Sequence, residues 1–477
     1  MAEEKNEKEK KIVELKPEES SKVTHSIEIE GKEFNYISET GFMRLKDEEG
    51  ELKVNFFFTS YRLETEENRP VIFAFNGGPG SSSVWLHMGM LGPKTYEIDE
   101  EGRAVSLPAK ITNNNFTWLK KADLVFLDPV STGYSRSANP EGSKEYHEFN
   151  KDIETMGDAI KIWLDKNKRW SSKKYLCGES YGTTRASGVS EYLLNRYGLY
   201  LNGIILVSSV LNFMQISNDP GNNLPFLMFL PTLAATSWYH GKLDKVKYLK
   251  LETLIEEVTY FVENEYLKFL FTGNSTDIET RNNIFSKISE FTGLSEEYVK
   301  ISGGRINEFR YMSELFRSEG RTVGRLDSRF LGYNIDETID SIDYDPAYSV
   351  IYGPYTSIYN DYVKNHLEFD CDITYEIING KVWPWDYSKV SNKYVDVIDS
   401  LTKTMHQNPQ MRVWFLSGYY DLATPYYATI YTINQMKLKG DLAKNIDHTY
   451  YDSGHMMYIK RSCLEKIFEE LDNFLKR

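Results

Sequence analysis

Five short, unbroken apolar runs do most to limit the folds open to this chain: Val71–Phe75, Leu124–Leu127, Tyr175–Cys177, Gly203–Val207 and Val413–Leu416. A strand with one wet face alternates apolar and polar residues, whereas a strand covered on both faces reads as a continuous apolar run. Segments between the runs, such as Tyr146–Lys166, have helical spacing and suit crossovers between parallel strands. The expectation is an α/β fold with a mostly parallel central sheet and helices on both faces. In such sheets ligands bind beyond the carboxyl ends of the strands, so the residues that follow each run are the candidates for chemistry.

The flanking segments read differently. Residues 1–25 form a charged tail with too little apolar area to offset the entropy of ordering, and are expected to be disordered. From Ser26 to Glu64 short alternating runs, such as Ser26–Glu30 and Val54–Ser60, are separated by Glu30-Gly31 and Glu49-Gly50 and predict antiparallel hairpins. Between Ile216 and Lys381 the strand rhythm stops, and helical spacing appears at Leu243–Asn264 and Thr280–Thr292. This divides the chain into a core, residues 26–215 and 382–477, and an inserted helical cap, residues 216–381. The most apolar stretch, Leu224–Thr236, is interrupted by Pro225 and Pro231, and no run approaches the ~18 apolar residues of a membrane span.

Charge and cysteine content exclude several classes. A net charge of −14 repels phosphate backbones and anionic lipid, so neither nucleic acid nor membrane is an expected partner. Cys177, Cys371 and Cys463 are too few, and odd in number, for a disulfide framework, and read as free thiols. Met1–Lys16 has no apolar segment of a signal peptide, which points to the cytoplasm; the alternative is an exported protein whose signal has been removed. No His-Glu-x-x-His or Cys-x-x-Cys occurs, and neither a metal nor a cofactor is expected.

After Tyr175–Cys177 comes Gly178-Glu179-Ser180-Tyr181-Gly182, followed by residues able to form a helix. Strand, tight turn and helix make the context of a nucleophile elbow. A serine hydroxyl needs a histidine to take its proton, and the imidazole needs an acid to hold its tautomer. Asp421 follows the run Val413–Leu416, and His455 follows Thr449–Asp452, in the chain order Ser, Asp, His of an α/β-hydrolase. Each alone also fits a capping aspartate or a packed surface histidine. Upstream, Val71–Phe75 leads into Asn76-Gly77-Gly78-Pro79-Gly80-Ser81-Ser82-Ser83, whose exposed N–H groups suit an oxyanion hole. A phosphate cradle would need the Gly-x-x-x-x-Gly-Lys spacing of a P-loop, which is missing.

These segments, with Leu91-Gly92-Pro93 and Asp128-Pro129-Val130-Ser131-Thr132-Gly133-Tyr134-Ser135, resemble in series the motifs of the serine carboxypeptidase family, from about residue 50 to the carboxyl terminus. Ser81 to His87 is similar to the bacterial branch of that family. The resemblance implies an α/β-hydrolase fold, Ser180 as nucleophile, His455 as general base and Asp421 as its orienting carboxylate. It implies an oxyanion hole from the N–H groups of Gly78 and Tyr181. It also implies that Asn76 and a protonated Glu179 hold the free carboxylate of a peptide. The expected reaction is cleavage of carboxyl-terminal residues from peptides through an acyl-enzyme, with a peptide or small ester as substrate. Rival readings are an esterase or acyltransferase with the same triad, and a catalytically silent binding protein.

The chain departs from the family pattern in three places. Met90 stands where a second Glu pairs with the first, Ala74 replaces a Trp, and Ser81 replaces a Cys. The loss of the second Glu removes the like-charge neighbour that helps keep Glu179 protonated, so an activity optimum nearer neutrality is expected. Several further residues read as structural: Cys177 and His87 as packed side chains, and the arginines of Arg321–Arg329 as ion-pair partners of Asp327.

Overall fold

All five apolar runs are strands of one ten-stranded sheet. The structure is a computed structural model that describes residues 20–29, 31–64 and 68–476. In chain order the strands are β1 (Ser21–Ile29), β2 (Lys32–Lys46), β3 (Leu52–Leu63), β4 (Val71–Phe75), β5 (Lys94–Tyr96), β6 (Ile111–Asn113) and β7 (Asp123–Leu127). They continue with β8 (Arg136–Ser137), β9 (Lys174–Glu179), β10 (Gly203–Val207), β11 (Arg321–Val323), β12 (Leu331–Tyr333), β13 (Arg412–Gly418) and β14 (Ile446–Tyr451). The large sheet has the order β1-β2-β3-β7-β4-β9-β10-β13-β14, with β8 also pairing β3. Across β7-β4-β9-β10-β13-β14 every pairing is parallel. β1, β2, β3 and β7 pair antiparallel.

The continuous apolar reading of the central strands follows from burial on both faces. In β4, Ile72 and Ala74 enter one apolar cluster while Val71, Phe73 and Phe75 enter another on the opposite face. Cys177, Ile205 and Leu416 share the first face; Leu176, Ile204 and Phe415 share the second. Because side chains alternate across the sheet, each strand must be apolar at every position. The register sets Phe75 beside Gly178 and Val207 beside Glu179, so the glycine loop and Ser180 leave the sheet next to each other.

Several expected boundaries move. Residues 21–25, assigned to a disordered tail, belong to β1 and pair with β2, Ser21 opposite Thr40; the ladder offsets the weak apolar content of that segment. Residues 1–19 lie outside the described residues. The helix expected from Tyr146 starts at Phe149, because the Glu148 carboxylate caps it through the N–H groups of Asn150 and Lys151, each at 3.0 Å. The helix expected from Leu243 starts only at Leu251. There the Asp244 carboxylate accepts from the backbone of Val246 at 2.8 Å, which favours a turn over a helix. Conversely, Leu224–Tyr239 is one helix with Pro231 inside it. Pro225 sits in the first turn, where no N–H is needed, and burial from Leu227 to Ser237 holds the rest.

Between β10 and β13 the chain forms a largely helical region. Helices Leu224–Tyr239, Leu251–Phe261 and Ile278–Thr292 share an apolar cluster that also takes in Tyr420, Leu422 and Tyr426 next to β13. The helix Pro346–Asn365 instead packs into the sheet's first cluster through Ile351, Tyr355 and Tyr359. Among the described residues no helix is long and apolar enough to cross a membrane. All three cysteines are free thiols.

Candidate active site

Ser180 sits between β9 and the helix Tyr181–Tyr197 with φ 59° and ψ −130°, a conformation that strains any residue other than glycine. The turn survives because a methyl group at Gly178 would collide with the Gly182 carbonyl, so only glycine fits there. Ser180 N–H donates to Val207 O at 3.0 Å, which ties the turn to β10. Asp421 and His455 follow β13 and β14, so all three residues stand at carboxyl ends of parallel strands.

The structure brings His455 and Asp421 together: Nδ1 and Oδ2 are 2.7 Å apart. Asp421 is fully buried and also accepts from Ala423 N at 2.8 Å, Thr424 N at 2.9 Å and Thr424 Oγ1 at 2.7 Å. These three bonds and the contact to His455 fix both oxygens of the carboxylate in place. Burial alone would lower the His455 pKa, but the charge and hydrogen bond of Asp421 outweigh it and hold the imidazole above its ordinary value. The Arg325 charge works the other way. Ser180 Oγ makes no hydrogen bond to His455 among the described residues, as is common before a substrate tightens the pair.

The glycine loop leaves β4 and passes against the elbow. A methyl at Gly77 would collide with the backbone nitrogens of Tyr181 and Gly182, so the loop can approach this closely only as glycine. Gly78 has φ 104°. Asn76 is buried; its Oδ1 accepts from Leu86 N at 3.1 Å and its carbonyl from Arg185 Nη1 at 2.5 Å. Asp128 anchors the far end of the loop, accepting from Ser83 N at 2.8 Å and Ser83 Oγ at 2.7 Å. Burial raises its pKa to about 6. The Asp-Pro-x-x-x-Gly-Tyr-Ser segment is thus a support for the glycine loop.

A family model described as serine carboxypeptidase matches residues 29–467. The chain belongs to the serine carboxypeptidase family. Serine carboxypeptidase-like 35 of Arabidopsis thaliana is 24% identical over 424 residues, 85% of this chain and 77% of that protein. Serine carboxypeptidase-like 2 of the same plant is 29% identical over 202 residues, 39% of this chain and 42% of its own length. The crystal structure of the prohormone-processing carboxypeptidase KEX1 of Saccharomyces cerevisiae covers 92% of this chain, and 91% of itself, at a TM-score of 0.53 and 15% identity. The fold is therefore that of the α/β-hydrolases. The family model places the chain in the serine carboxypeptidase family, and neither it nor the plant and yeast proteins above supports a bacterial branch.

Within this serine carboxypeptidase frame, the position of the missing second Glu is informative. Met90 is fully buried, and its backbone carbonyl accepts from Asn114 Nδ2 at 3.0 Å. Glu179 has instead a tyrosine partner: Tyr458 OH donates to its Oε2 at 2.6 Å. Burial raises the Glu179 pKa to about 7, opposed by the charge of His455 and by hydrogen bonds from Tyr458 and Asn76.

Other side chains foreseen as structural are placed accordingly. His87 is buried, stacked on Phe126 at 4.1 Å and bonded through Nε2 to Tyr61 OH at 2.7 Å; burial takes its pKa to about 3. Cys177 lies inside the sheet, and burial pushes its thiol up. Arg329 pairs with Asp327, Nη2 to Oδ2 at 2.7 Å, and with Glu101 at 2.8 Å. Arg321 and Arg325 form no such pair with Asp327 among the described residues.

Sequence reasoning missed Thr424, Tyr458 and the role of Asp327. Asp327 Oδ2 accepts from Gly454 N at 3.0 Å, one residue before His455. The neighbouring backbone completes the brace: His455 N donates to Leu326 O at 2.6 Å, and Leu422 N to Arg325 O at 3.0 Å. The segment Arg325–Arg329 of the inserted region therefore holds both the Asp421 loop and the His455 loop.

Proposed function

We propose that the chain is a serine-type carboxypeptidase-like hydrolase that cleaves carboxyl-terminal residues from peptides. The supporting observation is the 2.7 Å pair of His455 and Asp421 at the same sheet edge as a strained elbow serine, beside a carboxyl with a pKa of about 7. KEX1, which it resembles in fold, is named a prohormone-processing carboxypeptidase, and this reading extends peptide substrates to the present chain.

Ser180 Oγ attacks the scissile carbonyl carbon while His455 Nε2 takes the hydroxyl proton. Asp421, hydrogen-bonded to Nδ1, orients the ring and stabilises the imidazolium. The N–H groups of Gly78 and Tyr181 receive the oxyanion. His455 then gives its proton to the leaving amine, the C–N bond breaks, and a water deprotonated by His455 hydrolyses the Ser180 ester. Glu179 in its neutral form, with Asn76, donates to the free carboxylate of the leaving residue; a carboxylic acid can donate only while protonated.

Met90, standing where a second Glu would pair with Glu179, favours one alternative, an esterase or acyltransferase acting on substrates without a free carboxylate. The steps up to the acyl-enzyme are the same. Mass spectrometry of a digested mixed peptide library, with Ser180→Ala as control and a panel of esters alongside, separates the two. Loss of single carboxyl-terminal residues that depends on Ser180 supports the carboxypeptidase; ester turnover with untouched peptides overturns it.

A further inference from the structure

A second buried serine–histidine contact lies outside the site described above. His147 Nε2 and Ser131 Oγ are 2.8 Å apart, and both residues are almost closed to solvent. Ser131 has φ 71°, a left-handed conformation that persists in a non-glycine residue only where the surroundings enforce it. The pair lines a cavity of about 360 Å³, large enough for a small molecule.

The charge of this cavity is opposite to that of the chain. Arg136, Lys144 and Lys381 line it, against a single carboxylate in its described lining, Glu376, while the chain as a whole carries −14. None of the three cations forms a salt bridge among the described residues. Arg136 gives its donors to carbonyls instead: Gly133 O and Ser135 O at 2.9 Å, and Thr374 O at 2.7 Å. Carbonyl dipoles hold the guanidinium in place without cancelling its charge. His147 adds no charge, because burial and Lys144 both lower its pKa. Ser131 and Ser143 add hydroxyls to the lining.

The cavity adjoins the glycine loop through Asn379, at Gly80 rather than at Gly77, where the loop meets the elbow. Where Gly77 abuts Tyr181, a methyl on Gly80 would meet Asn379 and Val382. Asn379, itself part of the cavity lining, donates its N–H to Gly80 O at 2.9 Å and its Nδ2 to Ser131 O at 2.8 Å.

We propose that this cavity binds a compact multivalent oxyanion, a small molecule bearing phosphate or several carboxylates, at a site separate from the Ser180 centre. Cations without salt-bridge partners lining one pocket together with hydroxyl groups are the chemistry such a group requires. Isothermal titration of the full-length protein with pyrophosphate, and separately with citrate, at low salt tests the assignment. Saturable binding is expected, weakening as salt is added. The stronger of the two distinguishes a phosphate from a polycarboxylate ligand. Lys144 and Lys381 are exposed, so Lys144→Ala/Lys381→Ala keeps the fold, which circular dichroism checks. That variant should bind at least about tenfold more weakly. Ser143→Glu, which places a carboxylate at the lining, should bind more weakly still. Absence of saturable binding by either anion, or affinity unchanged in both variants, overturns the proposal.

Discussion

Tyr458 OH donates to Glu179 Oε2 at 2.6 Å, a contact that spans the elbow and the segment just after His455. A pair of carboxyl groups stays together only while one proton is shared between them. A tyrosine can donate to the ionised carboxylate and accept from the neutral acid, so this pair persists in both states. On the proposed reading, in which the neutral acid binds a free carboxylate, binding should fall as pH rises through about 7, the Glu179 value. Tyr458→Phe removes a bond that favours the ionised form, so the Glu179 pKa rises. The alkaline increase in KM for free-carboxyl peptides should then move up by on the order of one pH unit. Esters and carboxyl-terminal amides, which do not use Glu179, should show no shift.

Ser180→Ala and His455→Ala should each lower kcat by roughly 10³ to 10⁶ with the fold retained, because the members of a triad act as a unit. Asp421→Asn should also be damaging, since the amide supports the wrong imidazole tautomer. Steady-state rates on the best peptide, with circular dichroism as control, test this. Near-normal turnover by Ser180→Ala would remove the proposed mechanism.

The positive charge of Arg325 opposes protonation of His455. Removing it in Arg325→Gln lets the imidazole pKa rise. His455 must be neutral to accept the serine proton, so kcat/KM increases with pH through that pKa, and the acidic limb of the profile should shift to higher pH. A pH–rate profile of the variant on an uncharged ester, which avoids any contact with a substrate carboxylate, measures the shift. An unmoved acidic limb would show that the charge does not reach the imidazole.

Asp327 and Arg329 form a buried ion pair, and the same carboxylate holds Gly454 next to His455. Removing Asp327 leaves the buried Arg329 guanidinium with only the half-exposed carboxylate of Glu101, so Asp327→Ala should cost about 3 kcal/mol of stability. It should also lower kcat, because the His455 loop loses a support. The double variant Asp327→Ala/Arg329→Ala should lose less stability than the sum of the two single changes, which urea unfolding measures.

The sheet and the three residues at its edge were legible in the sequence because their signals are local. Two-faced burial writes itself as an apolar run, and an elbow needs glycines at fixed spacing around the serine. The antiparallel edge was less legible: β1 begins at Ser21, where half-buried alternation is weak and the ladder to β2 supplies the stability. Tyr458 left no signal, and Asp327 left only that of an ion-pair partner, not that of a support for the His455 loop. Each meets its partner across more than a hundred residues of chain, and nothing in the type of either residue announces the contact. Asp244 shows the reverse case, a local side-chain bond that overrides a helical pattern.

The inserted region is tied to the catalytic loops rather than merely resting above them. Arg325 O and Leu326 O accept from the backbones of Leu422 and His455, and Asp345 holds the same segment by accepting from Arg325 N and Leu326 N, each at 3.0 Å. Swinging this region away would break those bonds and loosen both loops, so substrates must enter with it in place. On the reading that this region covers the site, a fixed cover would admit chain ends and small esters but not the middle of a folded chain, and would keep water from competing with the oxyanion contacts. Cleavage should therefore be confined to carboxyl termini. Incubation with a protein blocked at both ends, followed by mass spectrometry, should show no products over a time in which the unblocked protein is shortened from its carboxyl end. Internal fragments that depend on Ser180 would mean that the cover opens, and would replace the exopeptidase reading with that of an endopeptidase.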